Sequence, residues 1–93
     1  MNDDKTVVVD IREEREIKGT SITGAKHIPM TEFATRHTEL VKSKSAPIIV
    51  YCQSGNRSGG ACNILTKEGF EDVYSLTGGI AAWETANLPV TRR

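Results

Sequence analysis

The sequence predicts an α/β fold, a parallel sheet of about four or five strands with helices on both faces. Two apolar runs, "VVVDI" at 7–11 and "PIIVYC" at 47–52, are continuous rather than alternating, as in strands covered on both sides. Segments with helical spacing separate the strand-like runs in the order β, α, α, β, α, β, α, which implies right-handed crossovers onto one parallel sheet. No repeat or low-complexity linker interrupts the 93 residues, so 1–93 reads as a single domain.

The first strand, Val7 to Ile11, is β-branched and short. "REEREIKG" follows as a short helical segment with Gly19 as its stop, and "ITGAKHIPM" then crosses the surface, Pro29 marking a turn or the edge of a brief strand. From Thr31, a candidate N-cap, Phe33, Leu40 and Val41 recur at helical spacing through about Val41. His37 shares that face and reads as a boundary residue bonded to backbone or water. "PIIVYC" is the strongest strand and is expected at the sheet centre. Ser58 to Glu68 carries Ala61, Ile64 and Leu65 on one face, with Gly69 placed as the C′ residue and Phe70 behind it. "DVYSL" gives a last strand, "GGIAAWETA" a last short helix with Ile80 and Trp83 three apart, and "LPV" a surface tail.

Composition excludes several function classes. Twelve Lys and Arg balance twelve Asp and Glu, and no basic stripe interleaved with aromatics appears, so a nucleic-acid partner is not expected. Apolar runs fall far short of the roughly 20 residues that span a bilayer, so no membrane partner is expected. The opening "MNDDK" is too polar and acidic for a signal peptide. The chain therefore reads as soluble and cytoplasmic; a mature periplasmic chain whose leader had been removed would read the same way. Cys52 and Cys62 are separated by nine residues, matching neither a CxxC pair nor a four-ligand zinc set, and His27 and His37 do not cluster with them. No metal and no cofactor is expected.

The chemistry concentrates in "YCQSGNRSGG", residues 51–60. Ligands of open parallel sheets bind beyond the carboxyl ends of the strands, where loops enter helices. Cys52 ends the best strand, and a helix begins about six residues later. The positive end of that helix, free backbone N–H groups in the turn and the Arg57 guanidinium would all favour the thiolate. A thiol of pKa about 8.5 is only about 3% ionised at pH 7, and lowering that pKa by about two makes roughly three quarters of it nucleophilic, for about 2.7 kcal/mol. Gly55, Gly59 and Gly60 suit a loop that turns its amides inward. The same residues also admit Cys52 as a packed strand-end residue, since cysteine is among the most buried types. Cys62, a turn into the helix with no cation beside it, reads as core.

The sequence resembles a single-domain rhodanese, the thiosulfate sulfurtransferase-like family, over nearly its whole length. The resemblance rests on "VVVDIREEREI", "ITGAKHIP", "YCQSGNRS" and "EGFEDVYSLTGGIAAW" with its closing "LPV", in the family's order and spacing. It implies a small rhodanese-like domain of the compact bacterial type. It also implies a sulfurtransferase that moves a sulfane sulfur from thiosulfate or a similar small sulfur-anion donor to cyanide or a thiol acceptor, through a persulfide on Cys52. The loop Gln53, Ser54, Gly55, Asn56, Arg57 and Ser58 would hold donor and persulfide, with Arg57 attracting the anionic donor. Asp10 and Arg12 match the family's Asp-x-Arg and would support the loop as an ion pair, while Gly78, Gly79 and Trp83 would form the second wall and its core anchor. A persulfide relay serving a protein sulfur carrier, with little small-molecule turnover, is the alternative. Four residues separate Cys52 from Arg57, whereas related phosphatase and arsenate-reductase loops have five, so the shorter ring favours sulfur over a tetrahedral phosphate. The sequence departs from the family at Thr20 and Ser21, which stand where Gly-His is usual. It also starts directly on the Asp-x-Arg strand, without the strand and helix that commonly precede it, which favours about four strands and fits either a compact protein or a piece of a longer one.

Overall fold

The computed structural model describes residues 6–17 and 19–92. "MNDDK", Lys18 of the first helical expectation and the Val41 side chain of the second lie outside the described residues. Strand β1 (Val7–Asp10) pairs in parallel with β4 (Ile48–Tyr51), setting Val9 opposite Val50 and Asp10 opposite Tyr51. Strands β3 (Lys26–His27) and β5 (Val73–Ser75) flank them, also parallel, in the order β3-β1-β4-β5. This is the expected four-stranded parallel sheet.

The continuous apolar runs are explained by burial on both faces. Val9, Ile11, Ile48, Val50 and Cys52 pack on one side with Phe33 of α1 (Met30–Arg36) and with Ala61 and Leu65 of α2 (Ser58–Lys67). Val8 and Tyr51 face the other way, onto Ile22 of β2 (Thr20–Ile22) and Ile80 of α3 (Gly79–Thr85). Each fully buried Val, Ile, Leu or Phe among them is worth about 1.5–3 kcal/mol of removed apolar area. Helix α2 ends as expected: the Phe70 amide donates to the Leu65 carbonyl and the Gly69 amide to that of Thr66, a Schellman pair that places Phe70 in the core. Among the described residues no helix is long and apolar enough to cross a membrane.

Two expectations need correction, and a third, the surface tail, gains a strand. The "REEREIKG" segment forms only a 3-10 turn over Glu14–Glu16 with no buried residue, so no apolar face exists to extend it. Helix α1 starts at Met30 after Pro29, and Thr31 is not its cap; the Thr31 hydroxyl donates to Glu13 instead. That helix stops at Arg36 and tightens into a 3-10 stretch, His37–Ser43, where a His37 ring nitrogen shares the Phe33 carbonyl and the Thr38 hydroxyl takes that of Thr35, local bonds that compete with the helical ladder. The "LPV" tail continues into β6 (Val90–Arg92), which pairs antiparallel with β2 as a separate two-stranded sheet.

Candidate active site

Cys52 follows the last residue of β4 and is only 1% exposed. Its Sγ accepts hydrogen bonds from the amides of Gly55 at 3.1 Å and Arg57 at 3.4 Å. Burial pushes the thiol pKa up, but the amides of Arg57, Ser58, Gly55 and Ser54 outweigh it, and the pKa lies below the ordinary thiol value. The oriented N–H groups and the start of α2 make the expected anion nest.

The loop's carbonyls are pinned from behind. The amides of Ile80 and Ala81, in the first turn of α3, donate to the carbonyls of Cys52 (3.0 Å) and Gln53 (3.2 Å). With those oxygens held toward α3, the loop turns its amides the other way, onto the sulfur. The approach leaves no room for a side chain: a Cβ at Gly79, where φ is +60°, would stand 2.6 Å from the Gln53 oxygen. Gly55 (φ +95°) similarly has the Gly78 amide nitrogen 3.0 Å from where its Cβ would be. Gly79 thus closes against the carbonyls of Cys52 and Gln53, and the Gly78 nitrogen against Gly55. Trp83 packs half-buried on the second core cluster, its Nε1 donating to the Pro89 carbonyl.

Asp10 and Arg12 form a buried ion pair at 2.8 Å. Asp10 also accepts from the Arg12 amide and from the Tyr51 hydroxyl. Burial, against the opposing pull of the Ile22 amide, pushes Tyr51 up to about 12, so the hydroxyl remains a donor to Asp10. Arg12 lies over the Tyr51 ring, donates to the Thr20 carbonyl at 2.9 Å and reaches Gln53 Oε1 at 3.5 Å. The Ser21 hydroxyl stands 3.5 Å from the same guanidinium, so the two residues that depart from Gly-His both contact Arg12.

Other loop residues divide by role. The Ser58 hydroxyl is buried and bonded to the Gly55 carbonyl and to Ser75, leaving only its amide for the sulfur. Ser54 and Asn56 are exposed. Gln53 joins the loop to a cleft of about 570 Å³ lined also by Arg12, Arg15, Glu16, Thr20 and Glu84. Arg57 differs from expectation: its guanidinium forms a two-pronged pair with Glu16, at 2.7 and 2.5 Å. The thiolate is therefore stabilised chiefly by backbone amides rather than by that cation. Glu16 and Tyr51 were missed by sequence reasoning. Tyr51 could have been noticed as the aromatic residue directly before Cys52, but nothing distinguishes Glu16 within its run of charges.

Iodoacetamide alkylation against pH is expected to place the Cys52 midpoint below the ordinary thiol value of about 8.5. The Cys62 midpoint is expected above it, because that thiol is half-buried and raised by burial alone. Coincident midpoints would contradict the amide cradle.

The family model described as "Rhodanese-like domain" matches residues 1–86. The thiosulfate sulfurtransferase GlpE of Pseudomonas fluorescens is 43% identical over 81 residues, covering 85% of this chain and 71% of that protein. A crystal structure of a Rhodanese_3-like domain from Anabaena superposes with a TM-score of 0.82 at 30% identity, covering 92% of this chain and 98% of that one. A structure described as a rhodanese with anions, from E. coli, superposes with a TM-score of 0.78 at 26% identity, covering 95% and 99%. The chain spans 49% and 61% of the lengths of two further curated relatives, from Synechocystis and Bacillus subtilis.

Proposed function

The chain belongs to the rhodanese-like domain family, and on that premise we propose that it is a sulfurtransferase in which Cys52 carries the transferred sulfur. The observation that carries the reading is that the amides of Gly55 and Arg57 both donate to one buried sulfur, whose pKa they lower together with the amides of Ser58 and Ser54. A thiolate at that position attacks the outer sulfur of thiosulfate. The S–S bond breaks with its electron pair leaving on sulfite, and Cys52 becomes a persulfide whose outer sulfur bears the charge that the amides stabilise. A cyanide or thiol acceptor then attacks that outer sulfur and releases the Cys52 thiolate, a ping-pong cycle. Gln53, Ser54, Gly55, Asn56, Arg57 and Ser58 frame the reacting sulfur. Asp10 and Arg12 brace the frame from below through Tyr51 and Gln53.

The short ring favours sulfur over phosphate. With four residues between Cys52 and Arg57, and with two amides already within 3.4 Å of Sγ, the nest is sized for one sulfur rather than for a tetrahedral ester. Intact-mass measurement after incubation with thiosulfate is expected to show one added sulfur atom, removed by cyanide with release of thiocyanate. An unmodified wild-type chain, or an adduct that persists in Cys52→Ala, would sink the reading.

A further inference from the structure

Arg57 supplies a full positive charge to the Cys52 loop, and Glu16 occupies it. The two terminal guanidinium nitrogens of Arg57 donate to the two Glu16 oxygens. Glu16 is also held from its own side, because Oε2 accepts from the Glu13 amide at 2.9 Å, and Glu13 in turn is bonded by the amide and hydroxyl of Thr31. The pair is only partly covered, with side chains 37% and 28% exposed. Hydrogen bonding to Arg57 holds the Glu16 carboxyl at about 2, so it stays charged at any neutral pH. The second arginine near the loop, Arg12, is already matched by buried Asp10. The cleft beside the loop therefore presents Arg15, Glu84 and Glu16, the last of them closed onto Arg57.

Building on the sulfurtransferase reading, we propose that Glu16 is a specificity-determining residue that disfavours small dianionic donors and favours organic persulfides. To use Arg57, thiosulfate must displace a two-pronged carboxylate that is anchored at a third point. Without that displacement its two negative charges lie beside a permanent anion, and like charges brought together disfavour the wrong partner. A persulfide R–S–SH makes neither demand. The Cys52 thiolate attacks its outer sulfur, the S–S bond breaks with its electrons leaving on RS⁻, and the proton travels with the transferred sulfur. The one negative charge sits on the Cys52 thiolate before the step, where the amides at Sγ hold it, and departs on RS⁻ after it, leaving a neutral Cys52–S–SH. This chemistry matches a domain that receives sulfur from thiol persulfides, small or protein-borne.

The test compares kcat/KM for thiosulfate and for 2-hydroxyethyl persulfide, whose carbon chain carries no charged group, in wild type, Glu16→Gln and Glu16→Asp. Wild type is expected to prefer the persulfide, and Glu16→Gln to raise kcat/KM for thiosulfate about tenfold while changing that for the persulfide less than about threefold. Glu16→Asp, which keeps the charge, is expected to keep the wild-type preference, and added salt to shrink the gain in Glu16→Gln. An unchanged donor ratio in Glu16→Gln, or an equal shift in Glu16→Asp, overturns the role of Glu16 while leaving the sulfurtransferase reading intact. Failure of both donors to load sulfur onto wild-type Cys52 overturns that reading and this one together.

Discussion

Asp10→Ala is expected to cost about 3–5 kcal/mol of folding free energy, because it leaves the Arg12 guanidinium buried without its counter-charge. Arg12 is 2% exposed and its Nε and Nη2 both donate to Asp10. Tyr51 would also lose the acceptor of its hydroxyl. For a domain whose total stability is of order 5–15 kcal/mol, the loss would leave much of the protein unfolded at moderate temperature. Urea unfolding should show a large fall in midpoint with an unchanged slope. The double variant Asp10→Ala, Arg12→Met is expected to be more stable than Asp10→Ala alone, since no orphan charge remains. A single variant within about 1 kcal/mol of wild type would refute the buried ion pair as the brace of the site.

Gly79→Ala is expected to have the largest effect on chemistry per atom added. Its backbone sits at φ +60°, and the new methyl would run into the carbonyls of Cys52 and Gln53. Backbone strain of about 1–3 kcal/mol adds to overpacking of similar size. Relief requires moving the loop away from α3, which breaks the bonds from Ile80 and Ala81 and turns the amides off the sulfur. Persulfide formation is expected to slow about a hundredfold, the scale of a displacement of roughly 1 Å at a reacting centre, and the Cys52 alkylation midpoint to rise. Gly59→Ala is the matched control for stability: a Cβ there meets nothing within 4 Å, so that variant should be neutral or stabilised by up to about 1 kcal/mol through helix propensity. A Gly79→Ala protein with a wild-type alkylation profile would show that α3 does not shape the nest.

Much of the fold was legible because it depends on local pattern. Continuous apolar runs at 7–11 and 47–52 marked the two central strands, and Gly69 with Phe70 marked the end of α2. The REEREIKG helix was misread because its charges have helical propensity, but the segment lacks an apolar face to hold it. The pairing of 20–22 with 90–92 joins segments about seventy residues apart and leaves little periodic trace in either. At the site, Cys52, the glycines and the start of α2 were readable from spacing. The partner of Arg57 was not, because four charged residues stand together in 13–16 and only the fold selects which of them reaches the loop.

The sequence by itself determined that a parallel α/β sheet ends in a cysteine loop of six residues closing on an arginine and a helix, because strand covering, turn chemistry and residue spacing are properties of short stretches of chain. Tertiary structure alone decided where the loop's charges go. Contacts across forty residues and more tie Arg57 to Glu16 and Asp10 to Tyr51, and those from α3 hold the Cys52 and Gln53 carbonyls. Such contacts depend on which surfaces the sheet brings together, so the electrostatic character of the sulfur, set by amides rather than by the nearby cation, emerges only when the chain is folded.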